Sequence, residues 1–79
     1  MESNKTKAIE LQEKAMEILE LAQAMDSRIK TAEDFKNQFA EHFPNLSEKW
    51  AAKEDTRKRA SKRLWSAYLQ VLTQIKLEL

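Results

Sequence analysis

Arg57, Lys58, Arg59, Lys62 and Arg63 set five cations within seven residues, the densest charge in the chain. Guanidinium and ammonium groups at that density do one kind of chemistry: they hold oxyanions. On a helix, Lys58, Arg59, Lys62 and Arg63 fall within an arc of about 140°. Arg57 points the other way, along the side of Leu64, Tyr68 and Val71. Residues 53–63 hold six basic and two acidic side chains, so a chain of net charge +1 conceals a local basic block. Such a patch suits phosphates of nucleic acid, an anionic lipid surface or an acidic protein. The plainer alternative is a solvated face partly neutralised by Glu54 and Asp55.

Three sharper forms of the anion reading follow from this stretch. A helix-turn-helix would use the turn at 44–46, but its reader helix would open on Ser47, Glu48, Lys49 and Trp50, about three turns before the cations. A basic-region zipper would use Leu64, Tyr68, Val71 and Ile75, yet that seam lasts barely two heptads before Glu78. A basic amphipathic helix for a membrane or a peptide-binding groove would use Trp65 and Leu72. Ser61 follows Arg57, Lys58 and Arg59 in a pattern that a basophilic kinase reads. None of the three accounts for the rest of the chain.

Other chemistry finds little footing. The chain has no Cys, which excludes disulfides, thiol catalysis and cysteine-held zinc. His42 is the single histidine, with no sequence partner for a metal or a catalytic triad. No Gly is present, which removes a phosphate-cradling glycine loop and a Gly helix cap. The expectation is a non-enzymatic protein, with no cofactor, no metal and no small-molecule substrate.

The elements that carry these residues are helices. Good helix formers dominate the 79 residues, and Pro44 is the one proline. Residues 8 to 29 carry a 3-4 ladder of Ala8, Leu11, Ala15, Ile18, Ala22, Met25 and Ile29, a straight stripe of about six turns. Ala at repeated rungs lets another backbone approach closely. Ile9, Met16 and Leu21 flank the ladder and widen the apolar arc beyond what one partner helix covers. Glu10, Glu13, Glu17 and Glu20 take the opposite side as a solvated back or an acidic docking strip.

Thr31 reads as a cap, with Glu33 and Asp34 in a first turn behind it. Phe35, Phe39 and Phe43 then recur every four residues, as core wedges rather than a ligand box. Phe43 precedes proline, so the helix should break there. Ser47 reads as the next cap, with Leu46 and Ala51 as a weak staple across it. The last helix carries Leu64, Tyr68, Val71 and Ile75 as its seam, with Leu69, Leu77 and Leu79 also apolar. Trp50 shares the seam if the helix runs unbroken past Asp55-Thr56.

These signals predict an all-α chain, a small helical bundle in one domain spanning 1–79. The arrangement is long–short–long, with helices at about 4–30, 32–43 and 48–78. Apolar residues off the seams point to dimerisation. The first residues lead into a charged helix and carry no apolar signal segment, and no run is long enough to span a bilayer, so the cytoplasm is expected. The function expected is a protein–protein interaction module of the regulator or adaptor kind, homodimeric or docked on a larger protein. The alternative is a nucleic-acid-binding regulator using 57–63.

Overall fold

A computed structural model describes the backbone of residues 2–78 and side-chain environments from Thr6 to Glu78. Leu79, expected among the apolar residues of the last helix, lies outside the described residues. The chain forms two long α-helices, α1 (Glu2–Phe39) and α2 (Pro44–Glu78), packed as an antiparallel hairpin. The body measures 63 × 14 × 12 Å, one helix long and little more than a helix thick.

The three-helix arrangement is therefore corrected to two. The expected helices at 4–30 and 32–43 are one element. Thr31 lies inside α1, where its hydroxyl donates back to the Ser27 carbonyl at 3.1 Å instead of capping a new start. No Gly or Pro interrupts 29–36, and the 3-4 spacing runs on through Ala32, which is fully buried. A cap signal is worth about 1 kcal/mol; continuing a buried seam outweighs it.

The break falls at residues 40–43 and needs no left-handed residue. Pro44 sits at the first position of α2, where its missing N–H costs nothing and its fixed φ suits the helix. Phe43, where the following proline disfavours the α region, is the pivot. Its N–H still donates to the Phe39 carbonyl at 2.8 Å, and its own carbonyl accepts from Ser47 N–H at 2.9 Å. The expected helix start at 48 thus moves to 44, and Ser47 is not its cap. Ser47 sits in the first turn of α2, and its hydroxyl donates to the Lys36 carbonyl of α1 at 2.8 Å. That carbonyl is one of the four that the end of α1 leaves unpaired. Leu46, also inside α2, cannot staple across a cap.

Packing follows a seven-residue rhythm on both helices. Ala8, Ala15, Ala22 and Ala32 are buried on α1, and Val71 is buried on α2. Leu11, Ile18, Met25 and Ile29 on α1 are half-buried, as are Leu64, Tyr68 and Ile75 on α2. α2 runs unbroken through Asp55-Thr56, so Trp50 does join this side and is half-buried. Near the turn, Phe35 stacks on Trp50 across the two helices with centroids 4.8 Å apart, and Phe39 stacks on Phe35 at 5.9 Å. Phe43 remains exposed beside Phe39. No large side chain among the described residues is fully buried. A two-helix sandwich has only a line of contact to hide things in.

Candidate functional site

The heptad rows of α2 are apolar only toward the chain ends. Going toward the turn from Ile75 and Tyr68, the next two positions in the same row are Ser61 and Glu54, and both are buried. Facing them on α1 are Asp26 and Lys36. Asp26 accepts from the Ser61 hydroxyl at 2.5 Å and from the Trp65 indole N–H at 3.0 Å. Glu54 Oε1 accepts from Lys36 and from Lys58, each at 3.3 Å. Its other oxygen, Oε2, is buried with no hydrogen-bond donor. Burial pushes the Glu54 carboxyl up, but the hydrogen bonds and positive charges of Lys36 and Lys58 outweigh it and hold the pKa below the usual glutamate value. Glu54 therefore stays an anion between two cations.

This polar centre has a physical role. An Ala ladder that repeats every seven residues looks the same after a one-heptad slide. Asp26 with Ser61 and Trp65, and Lys36 with Glu54, match in one register alone. They were missed in reading the sequence because apolar residues were used to draw the seam. The spacing held the signal, since 54, 61, 68 and 75 are seven apart.

The basic stretch divides. Arg57 turns into the seam, half-buried, where its guanidinium donates to the Arg28 carbonyl at 2.8 Å and lies 5.8 Å from the Trp50 ring. Lys58, Arg59, Lys62 and Arg63 are all exposed. Lys58 is paired with Glu54, and Arg59 with Asp55 at 2.8 Å. Among the described residues, Arg57, Lys62 and Arg63 have no carboxylate partner, and of these only Arg57 is turned into the seam. Ser61, which sequence placed as a kinase target, is buried against Asp26 and is not presented to one. The zipper form is overturned as well, since Leu64, Tyr68, Val71 and Ile75 already face α1. The helix-turn-helix loses its separate second helix. Among the described residues there is no helix long and apolar enough to cross a membrane.

A different surface is left over. One broad side of the hairpin, in the half nearer the chain ends, carries Ile9, Met16 and Leu19 on α1 and Trp65, Leu69 and Leu72 on α2. A shallow groove across it is lined by Gln12, Ala15, Met16, Tyr68, Leu72 and Ile75. Ile9 is 56 % exposed, Met16 57 % and Leu69 60 %. Trp65 packs edge-on against Tyr68 at 5.8 Å and fixes the border of the patch. Ile9, Met16, Leu19, Trp65, Leu69 and Leu72 are uncharged, and Lys76, one heptad beyond Leu69, is exposed on the same side. The other broad side is different: Leu21 and Leu77 stand there singly among Glu10, Lys14, Glu17, Arg28 and Arg63.

The fold is thus an antiparallel helical hairpin with a polar register lock and one largely apolar side near the chain ends. No protein-family model, curated protein or solved structure matches the chain.

Proposed function

We propose that this chain is a non-enzymatic helical interaction module, of the regulator or adaptor kind, that works through the apolar side of its free-end half. The observation that carries this reading is the exposure of Ile9, Met16 and Leu69 on the side that holds the groove lined by Met16 and Leu72. Contiguous apolar surface on a small chain is covered by a partner or becomes an aggregation hazard. The nucleic-acid alternative is weaker, because three of the five cations are already engaged within the hairpin. Lys62 and Arg63 are the two cations of this stretch that a phosphate could take without displacing a contact within the hairpin.

The test is photo-cross-linking in the host cell from a Met16→benzoylphenylalanine variant. Adducts should form, should vanish when Leu69→Glu is added, and should persist through nuclease treatment and in a Lys62→Gln, Arg63→Gln background. Adducts that depend on nucleic acid or on Lys62 and Arg63 would transfer the function to the basic stretch.

A further inference from the structure

We propose that the apolar side is covered by a second copy of this chain, so that two hairpins form a four-helix bundle over their free-end halves. This rests on the interaction reading above and names its partner.

Area is the first argument. A compact monomer of 9.3 kDa exposes about 5,000 Å². This chain exposes 6351 Å², roughly 1,400 Å² more. A standard stable interface takes about 800 Å² from each partner, which fits within that excess. The Cα radius of gyration tells the same story: it is 17.9 Å, against about 11.6 Å for a compact chain of this length.

Charge is the second argument. In a two-fold dimer the same patch meets itself, so any charge near the axis faces its own copy. Most of the free-end half of this side avoids that conflict: Ile9, Gln12, Met16, Leu19, Leu69 and Leu72 are neutral, and Lys76, one heptad beyond Leu69, is a cation that a two-fold arrangement must keep off its axis. A surface tuned for a strongly acidic or basic partner would carry more charge of the complementary sign than Lys76 supplies.

Rhythm is the third. Ile9 and Met16 are seven apart, as are Gln12 and Leu19, and Trp65 and Leu72. Each helix therefore presents a second heptad stripe beside the one used within the hairpin. Helices of a four-helix bundle have two such stripes, one for each neighbour.

The experiment is sedimentation equilibrium of the purified native chain from about 1 to about 100 μM, the range in which typical interfaces of this size associate. The expected result is a dimer whose Kd rises about 100-fold in Leu69→Glu, because an unpaired carboxylate would be buried. Met16→Glu, on the other helix, should do the same, and Glu17→Gln on the far side should not. Far-UV circular dichroism checks that each variant keeps its helices, the result expected for substitution at exposed positions. A monomer throughout, or a dimer indifferent to both Leu69→Glu and Met16→Glu, overturns the proposal. A monomer that still forms Met16 adducts with a different protein in the cell overturns the second copy and leaves the interaction reading standing. A monomer with no adducts overturns both.

Discussion

Replacing Ala22 by Leu should cost about 1–3 kcal/mol of stability, while Ala24→Leu, two residues away, should be nearly neutral. Ala22 is fully buried and Ala24 is exposed. The ladder Ala8, Ala15, Ala22 lets the two backbones approach along the line of contact, and a Leu at its middle rung has no space to enter. The helices must then separate or roll, and either movement pulls at the Asp26 hydrogen bonds one turn on. In a globular core some neighbours could shift to admit the extra methylenes. Here the opposing backbone itself is the obstacle. Urea denaturation at fixed protein concentration measures the difference, the concentration being held because association would add its own stability. Equal midpoints for the two variants would mean that the stripe has been drawn on the wrong face.

The second large effect belongs to Asp26. Asp26→Ala should cost about 2 kcal/mol, since it removes a charged acceptor from two donors and leaves the buried Ser61 hydroxyl to find another. Ser61 and Trp65 lie 35 and 39 residues away in sequence, so the loss falls on the contact between helices rather than on either helix alone. A double-mutant cycle with Ser61→Ala isolates the pair, with an expected coupling of about 1 kcal/mol. Strictly additive losses would show that the two side chains do not depend on each other. Asp26→Asn keeps one acceptor oxygen and should fall between native and Ala.

Much of the hairpin was legible because its chemistry is repetitive. The Ala ladder, the Leu64-to-Ile75 seam and the break before Pro44 could each be read from spacing and residue type. The false helix boundary at Thr31 came from weighing a local cap signal without the seam that passes beneath it. Thr at a cap and Thr bonding its own helix at i−4 look alike in sequence; Ala32 against α2 decides between them. Ser47 misled in the same way, since its hydroxyl serves the end of α1 rather than the start of α2. The basic stretch looked more concentrated than it is because Glu54 and Asp55 lie one turn behind Lys58 and Arg59. The sequence offered them as neutralising partners but could not show that they are engaged. The register lock was hidden for another reason. A buried Ser or Glu on a heptad position reads as a gap in the pattern until its partner on the other helix is known.

The apolar side was partly visible. Ile9, Leu21, Leu69 and Leu77 stood out as off-seam, but sequence alone did not show that Ile9 and Leu69 share one side of the hairpin while Leu21 and Leu77 lie on the other. That division depends on the antiparallel register, which fixes which stripe of α1 adjoins which stripe of α2.

Met16 offers the most direct measurement on that side, because its thioether sits within the groove. Its rate of oxidation by dilute peroxide, read by peptide mass spectrometry, can be compared in the native chain and in Leu69→Glu at equal concentration. Met25, half-buried in the intrahairpin seam, serves as the internal reference. The expected result is several-fold slower oxidation of Met16 in the native protein, with Met25 unchanged between the two. Equal rates at Met16 would mean that nothing covers this side, and would contradict its role as the working surface.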